Sequence, residues 1–378
     1  MFRGGIPIGK AFGISLRLHY SWFFIFVLVT WALAAAYFPT TYPTWNLTLK
    51  ITAGIITSFL FFASVLVHEL MHSIVALRQG IKIQAITLFF LGGVSQMSGE
   101  PKTAGDEFRM AAAGPFSSLI LGGIFLGISY GLNDINNLAA QFVAAISYYL
   151  GIINILLGVF NLIPGFPLDG GRVLRSIIWW QTKNMQRATK IASNIGRAVG
   201  FLFILGGIWL AFTGNFFNGI WLALIGWFLL SAASASYSQV LIQDMLKGHT
   251  AGEVMSHECT VVPPDITVER LINEHILSSG RRCFPVVSDG HTQGLVTLDS
   301  VRAVPRDARG TTLVKQAMVP LGQIKAVSPD EDLGNVLQLL TENDINQVPV
   351  ISEGKVVGMV ARDNLINFIN TRNELKRG

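Results

Sequence analysis

Two histidines and a glutamate in one apolar stretch have the spacing of a metal-dependent hydrolytic site. His68, Glu69 and His72 lie within residues 51–77, which are otherwise almost entirely apolar. On a helix, residues i and i+4 share a face, with Cβ atoms about 5–6 Å apart. The two imidazoles can therefore bind one ion. Glu69 lies about 100° further around the helix, where it would meet a water on that ion rather than ligate it.

The surroundings of this motif predict that its helix crosses a membrane. A run of about 20 apolar residues is long enough to span a bilayer. Charged residues at that depth cost about 2.5–3.5 kcal/mol each on insertion scales, and a bound metal ion would offset this cost. The alternative is that His68 and His72 are polar residues whose hydrogen bonds are satisfied by neighbouring helices.

A second segment offers a candidate third ligand. The apolar run that ends near Asn161 is followed by Pro164 and Pro167, several glycines and one carboxylate, Asp169. Prolines and glycines end or re-aim a helix, and an irregular backbone at membrane depth is tolerated only where it lines a protein cavity. Catalytic zinc sites commonly combine three protein ligands with one open position, so Asp169 fits as the third.

Composition divides the chain into a membrane part and a soluble part. The chain is 51% hydrophobic and 13% charged, against about 25% charged in soluble globular proteins. Charges are sparse before about residue 245 and ordinary after it. The net charge of +5 comes from loops that flank the apolar runs, so we do not expect nucleic-acid binding. The two cysteines, Cys259 and Cys283, are too few for a disulfide framework and are expected to be thiols in a reducing compartment.

The first part is predicted to be a polytopic helical domain that includes a short membrane-associated β-hairpin. Six runs are long enough to span, at residues 19–38, 51–77, 110–130, 138–163, 192–213 and 219–237. Alternating residues predict short strands at 14–19 and 81–86, the second continuing into a hairpin that turns at Gly92 and Gly93. The edge of that hairpin could pair with an extended substrate segment, or the hairpin could be purely structural.

Basic residues predict the orientation in the cell membrane. Lys and Arg concentrate before the first run, between the second and third, and between the fourth and fifth, whereas the alternate loops contain only Lys50. Cytoplasmic loops carry the excess of basic residues. Both termini are therefore expected in the cytoplasm, with the histidine motif in the cytoplasmic half of its span.

The soluble part repeats itself with one period. Pro285 and Pro349 are 64 residues apart, as are Gly294 and Gly358. Self-similarity at a fixed spacing indicates a duplicated unit. Each copy combines a helical run with two apolar strands, which predicts a soluble α/β domain.

The two halves of the site together resemble the site-2 protease family of intramembrane zinc metalloproteases. The resemblance rests on His68-Glu69-x-x-His72 and on Asn161-x-x-Pro164 leading to Asp169-Gly170, and it covers residues 1–240. It implies one zinc per chain, ligated by His68, His72 and Asp169, with Glu69 as catalytic base and Asn161 stabilising the oxyanion or making a nearby polar contact. It also implies a substrate with a transmembrane segment. A further motif of the family resembles Gly114–Ser118, which close helix packing explains equally well.

The repeated part resembles a tandem CBS (cystathionine-beta-synthase-type) pair, with motifs at 245–308 and 309–378. Such pairs often bind adenine nucleotides through Gly-x-x-Ser/Thr-x-x-Asp, and neither copy matches this pattern. Thr297 is followed by Ser300 in the Asp position, while Ala361 and Asn364 occupy the corresponding positions of the second copy. Nucleotide binding is therefore in doubt, and a packing or homodimerisation module is the alternative.

Three functions are compatible with these patterns. The first is an intramembrane zinc endopeptidase whose cytoplasmic tail regulates it or dimerises. The second is a membrane transporter regulated by the CBS pair, but a glutamate beside two paired histidines argues against it, since an ion path needs no hydrolytic arrangement. The third is a binder of membrane proteins that does not cleave them, which the intact set His68, Glu69, His72 and Asp169 argues against.

Overall fold

The computed structural model describes residues 5–90, 92–97, 99–257, 260–279, 283–288, 291–343 and 345–377, so Cys259 lies outside the described residues. The chain forms two compact units, Met1–Val240 and Leu241–Gly378.

Long apolar helices build the first unit. Its helices are α1 (Tyr20–Ala32), continued by a π-helical turn (Leu33–Tyr37) and α2 (Phe38–Thr41), α3 (Leu47–Arg78), α4 (Ala104–Leu132), α5 (Leu138–Asn161), α6 (Asp169–Thr182), α7 (Met185–Phe212) and most of α8 (Phe216–Leu246), whose residues from Leu241 onward belong to the second unit. Six of them, counting α1 to α2 as one, are long and apolar enough to cross a membrane. The prediction of six spans is confirmed, and the helices extend beyond the predicted runs at several ends.

A four-stranded sheet accompanies these helices. Its strands are β1 (Gly5–Ala11), β2 (Ile14–His19), β3 (Ile83–Phe89) and β4 (Gly92–Met97), in the order β1-β2-β3-β4. β2 and β3 are parallel, and the outer pairs are antiparallel. Strand β1 was not foreseen, because glycine and proline interrupt its alternation. One expectation is corrected: Gly92 and Gly93 do not form the turn but begin β4, pairing with Phe89 and Leu88.

Two similar halves form the second unit. The helices are α9 (Ala251–Val254), α10 (Val268–Leu271) with a π-helical turn (Ile272–Ile276), α11 (Leu277–Ser279), α12 (Leu298–Ala303), α13 (Val314–Ala317), α14 (Leu333–Glu342) and α15 (Arg362–Arg377). The strands are β5 (Cys283–Ser288), β6 (His291–Thr297), β7 (Val319–Pro320), β8 (Gln347–Ser352) and β9 (Lys355–Ala361). β5 pairs with β6 as β8 pairs with β9, which places the 64-residue period on two equivalent hairpins.

Each half of the second unit has its own apolar core. Phe284, Val286 and Val296 are fully buried in the first half, with Val348, Val350 and Val360 equivalent in the second. Alternate residues of a strand face the same side, so each hairpin directs one apolar row inward.

Candidate metal centre

The histidine helix brings two ring nitrogens together. His68 and His72 are buried on one face of α3, with ring centroids 4.9 Å apart. Their Nε2 atoms lie 3.2 Å from each other. The i, i+4 geometry expected from the motif is therefore present.

Asp169 completes a triangle of electron-pair donors. Its Oδ2 lies 3.1 Å from His68 Nε2 and 3.1 Å from His72 Nε2. Zinc binds nitrogen and carboxylate oxygen at about 2.0–2.2 Å, which spaces tetrahedral ligand atoms about 3.3–3.6 Å apart. The three observed separations, 3.1, 3.1 and 3.2 Å, lie just below this range, so a small outward shift of the donors accommodates a zinc ion.

The hydrogen bond on the far side of His72 leaves its other ring nitrogen available to a metal ion. His72 Nδ1 donates to the carbonyl oxygen of Met110 at 2.7 Å. Because that oxygen can only accept, the neutral imidazole carries its lone pair on Nε2. This lone pair then faces the carboxylate of Asp169, and a bound cation turns the resulting repulsion into ligation.

Helix α4 contacts the Nδ1 atoms of both imidazoles, on the side opposite Asp169. Met110 O accepts from His72, and Ser118 Oγ lies 2.9 Å from His68 Nδ1. Such contacts to the outer ring nitrogen fix the orientation of a metal-ligating histidine. Gly114 lies between Met110 and Ser118 in α4. A Cβ at this position would come within 2.7 Å of His68 Nε2 and closer still to His72 Nε2. Only a residue without a side chain leaves room for the triangle.

The broken segment before α6 aims Asp169 inward. Pro164 and Pro167 lack the N–H that would continue α5. The chain turns instead through hydrogen bonds from Leu168 N to Gly165 O at 3.0 Å and from Gly171 N to Leu168 O at 2.9 Å. Asp169 is then the first residue of the new helix. This helix was not foreseen, since its apolar residues are interrupted by arginines.

Glu69 lies beside the triangle and contacts strand β4. Ser95 Oγ donates to Glu69 Oε2 at 3.0 Å, and Ser73 Oγ lies 3.1 Å from Ser95 Oγ. A Cβ on Gly93 would lie 3.0 Å from the carboxyl carbon of Glu69. The carboxylate is therefore held between α3 and β4 and is only half-buried.

Asn161 is placed differently from the other predicted site residues. Its Nδ2 donates to Leu157 O at 2.9 Å, one turn earlier in α5. Over the described part of the chain, no hydrogen bond joins its side chain to His68, Glu69, His72 or Asp169. Its role at the oxyanion stays a prediction.

Sequence reasoning missed the residues that hold the site. Ser95, Ser118 and the ion pair between Glu107 and Arg175 stand out in the structure. Ser118 was noted only within a helix-packing motif. For Glu107 a signal existed, namely an acidic residue inside a long apolar helix, which is rare and usually paired.

The second unit contains a cavity between its two halves. Its volume is about 460 Å³, and its lining includes Thr297, Asp299 and Arg302 from the first half and Lys325 and Gln347 from the second. This size lies within the range of small-molecule sites.

The residues that depart from the nucleotide pattern cap helices. The backbone N–H of Thr297 donates to Ser300 Oγ at 2.8 Å, and that of Ala361 donates to Asn364 Oδ1 at 2.9 Å. Both side chains in the Asp position therefore reach back to the start of their own helix.

Family models match both parts of the chain. The model of peptidase family M50 matches residues 56–134 and 128–205, and the CBS domain model matches 251–307 and 314–371.

Individual proteins agree with these matches. Rip3 of Mycobacterium tuberculosis is 33% identical over 370 residues, which cover 97% of this chain and 93% of Rip3. Zinc metalloprotease MJ0392 of Methanocaldococcus jannaschii is 30% identical over 320 residues, covering 84% of this chain and 86% of that protein. The solved site-2 protease from Methanocaldococcus jannaschii is 33% identical and covers 62% of this chain and 95% of its own, with a TM-score of 0.41.

The sequence match to Rip3 extends over 97% of the chain, and the family models match parts of both the apolar helices and the tail. The chain therefore belongs to peptidase family M50, as a site-2 protease-like zinc metalloprotease of the membrane that carries a CBS pair.

Proposed function

We propose that the protein is an intramembrane zinc endopeptidase that hydrolyses peptide bonds within or near the transmembrane segments of membrane proteins. The observation that carries this proposal is the triangle of His68, His72 and Asp169, buried among helices long and apolar enough to span a bilayer. Residues 1–240 would form the protease domain, and 245–308 and 309–378 the two CBS motifs.

The roles of the chain's own residues follow from their contacts. His68, His72 and Asp169 would hold the zinc, which when bound lowers the pKa of a water and polarises a carbonyl. Glu69 takes a proton from the attacking water and passes it to the nitrogen of the leaving amine. Ser95 orients the Glu69 carboxylate for this proton transfer through its 3.0 Å hydrogen bond.

Strand β4 is the proposed site of substrate presentation. It is the last strand in the order β1-β2-β3-β4, and within the described residues it pairs only with β3. A substrate segment added to this free edge would be extended and would pass beside Glu69, which Ser95 and Gly93 of the same strand contact. The carbonyls of a transmembrane helix are already hydrogen-bonded, so substrates must unwind locally before they pair. Weakly helical spans are the expected substrates.

The proposed orientation places both termini in the cytoplasm. Arg78, Lys82, Lys102 and Arg109 lie between α3 and the apolar part of α4, on the same side as the basic residues of α6. The metal centre would then open toward the cytoplasmic half of the bilayer.

The CBS pair is proposed to regulate the protease by binding a small anionic ligand in its cavity. Arg302 and Lys325 line a cavity that also has apolar walls, and Asp299, 3.8 Å from Arg302, offsets part of their positive charge. An adenine nucleotide is the candidate ligand from the CBS resemblance, although Ser300 and Asn364, which occupy the Asp position of the family pattern, cap their own helices. Calorimetric titration with ATP, AMP and S-adenosylmethionine tests this, and heat-silent titrations would leave packing or dimerisation as the role.

Replacement of the base tests the main proposal. Purified wild type and Glu69→Gln are compared in vesicles on substrates with weakly helical spans, with zinc content measured in parallel. We expect Glu69→Gln to keep its zinc and lose cleavage. Glu100→Gln, on the exposed segment before α4, is the matched control and should cleave normally.

The outcomes separate the competing functions. Wild-type turnover in Glu69→Gln would remove Glu69 from the role of base. Zinc binding without cleavage of any substrate by the wild type would favour the non-cleaving binder.

A further inference from the structure

A buried ion pair joins α4 to α6 away from the metal ligands. Arg175 Nε donates to Glu107 Oε1 at 2.6 Å, and Nη2 of the same guanidinium contacts the same oxygen. The side chains are 5% and 0% exposed. None of the steps proposed for hydrolysis uses either residue.

Stability alone does not explain this pair. Removing two charges from water is costly, and apolar residues of similar volume often stabilise a protein as well or better. Glu107 Oε2 is buried without a hydrogen-bond partner among the described residues, so the pair does not even satisfy its own carboxylate. What an ion pair adds over apolar packing is a fixed direction and register between two helices.

One face of α4 connects the pair to the metal centre. Glu107, Met110, Gly114 and Ser118 follow one another at intervals of three or four residues, so they form one stripe along the helix. Met110 and Ser118 hold the two imidazoles, and Gly114 gives them room. Glu107 is the remaining member of the stripe, and it holds α6 instead of α3.

Arg175 also contacts the broken segment that precedes Asp169. Its guanidinium carbon lies 5.1 Å from the centre of the Phe166 ring. Arg175 follows Asp169 by six residues, about 9 Å along α6. One side chain therefore contacts α4 through Glu107 and the segment leading into Asp169 through Phe166.

We infer that Glu107 and Arg175 are positioning residues that set α6 in register on α4 and so keep Asp169 Oδ2 within reach of both imidazoles. The inference rests on the metal centre of the proposed function. The same stripe of α4 thus fixes all three ligands: His68 and His72 directly, and Asp169 through the ion pair.

A double apolar variant tests the inference on the full-length protein in detergent. Glu107→Leu/Arg175→Met removes both charges together, which leaves no unpaired buried charge. Zinc affinity is measured by competition with a chelator, the Co²⁺-loaded protein is examined by visible absorption, and the unfolding temperature is measured without metal. We expect zinc affinity to fall about 10–100-fold, with an altered cobalt spectrum and an unfolding temperature close to that of the wild type.

The control uses an ion pair on the same helix. Arg109 Nη2 contacts Asp106 Oδ1 at 2.8 Å, but the Arg109 side chain is 70% exposed. Asp106→Asn/Arg109→Met removes a charge pair one residue before and two residues after Glu107, and it should leave zinc affinity and cobalt spectrum unchanged.

Each result decides the inference. Wild-type zinc affinity and cobalt spectrum in Glu107→Leu/Arg175→Met overturn it, as does a lower unfolding temperature with zinc affinity unchanged. If that variant does not fold, Arg175→Lys is used instead, because lysine keeps the charge but not the guanidinium geometry. A loss of at least about tenfold in the zinc affinity of Arg175→Lys supports the inference, and an unchanged affinity overturns it. Failure of the wild type itself to bind zinc would count against the proposed function instead.

Discussion

Histidine–carboxylate contacts occur in both units of the protein, in opposite settings. In the first unit Asp169 Oδ2 lies 3.1 Å from each histidine, with side chains of His68, His72 and Asp169 only 6%, 9% and 18% exposed. In the second unit His249 Nδ1 lies 2.5 Å from Glu253 Oε2, with side chains 26% and 47% exposed. The contact distances alone would rank the second pair as the stronger site.

The number and direction of the donors reverse that ranking. His249 and Glu253 are an i, i+4 pair, and a single proton between them satisfies both. The other ring nitrogen of His249 contacts Arg372 Nη1, a cation that leaves no place for a metal ion. Across the described residues, the group of His68, His72 and Asp169 is the one set of three such donors within reach of a common ion. A candidate metal centre is therefore distinguished from a surface ion pair by having three buried donor atoms directed at one point, and not by a short contact distance.

The largest effect is expected from filling the space above the imidazoles. Gly114→Ala places a Cβ against both Nε2 atoms, and the rings cannot retreat without losing their contacts to Met110 and Ser118. We expect zinc affinity to fall by more than about 100-fold and cleavage to be lost. Zinc content after dialysis against a chelator and cleavage in vesicles measure this.

Gly123→Ala is the matched control, because it lies on the same helix with nothing within 4 Å of the added Cβ. Full zinc content in Gly114→Ala would show that the imidazoles are not held as described and would weaken the contrast between the two units.

An intermediate effect is expected at the outer nitrogen of His68. Ser118→Ala removes the 2.9 Å contact to His68 Nδ1, whereas Ser117→Ala removes a hydrogen bond to Gly114 O within α4. We expect Ser118→Ala to lower zinc affinity about 10–100-fold and Ser117→Ala to leave it nearly unchanged. Chelator competition on both variants makes the comparison. An equal loss of zinc affinity in Ser118→Ala and Ser117→Ala would mean that helix packing, and not the orientation of the His68 ring, determines the affinity.

The smallest effect is expected in the second unit. The hydrogen bond from His249 lowers the pKa of Glu253 from its usual 4.5, helped by the start of its helix. A carboxylate with a lowered pKa stabilises the folded state above its unfolded pKa, and this contribution is lost as the pH falls through the folded value. Glu253→Gln should therefore unfold at a slightly lower temperature than the wild type at pH 7, and the difference should vanish as the pH falls through the lowered pKa of Glu253.

Thermal unfolding of the full-length protein between pH 3 and 8 measures this, with the exposed Glu374→Gln as control. If Glu253→Gln lowered the unfolding temperature strongly and equally at every pH, this pair would be structural and the contrast with the metal centre would not hold.

Local patterns predicted the spans, which the structure confirms, and the candidate ligands, which stay a prediction, because both are set by spacing along one segment. His68 and His72 share a helix face, and Pro164 and Pro167, with glycines beside them, predict the end of a helix before Asp169. The 64-residue period predicted that the tail contains two equivalent strand pairs, and the structure has the hairpins β5–β6 and β8–β9 at that spacing. Resemblance to a known family was still needed to join Asp169 to the histidines.

Contacts that depend on packing between distant segments escaped prediction. Ser118 meets His68 across 50 residues, and Arg175 meets Glu107 across 68. Nothing in either local sequence specifies its partner, since small or charged residues on a helix can serve many neighbours. The turn at Gly92 and Gly93 was misplaced for a related reason. The chain reverses before Gly92, whose φ of +135° favours glycine, whereas Gly93 leaves room for the Glu69 side chain.

The separation of the ligands along the chain sets an order on biogenesis. Asp169 follows His72 by 97 residues, with two spanning helices between them. While the ribosome is still making α5, the inserted part of the protein offers only two imidazoles. On the proposed function, zinc could bind to all three side chains only after the segment that carries Asp169 has been made. A nascent chain that ends before α6 would hold two of the three proposed ligands and would be unable to hydrolyse a peptide bond.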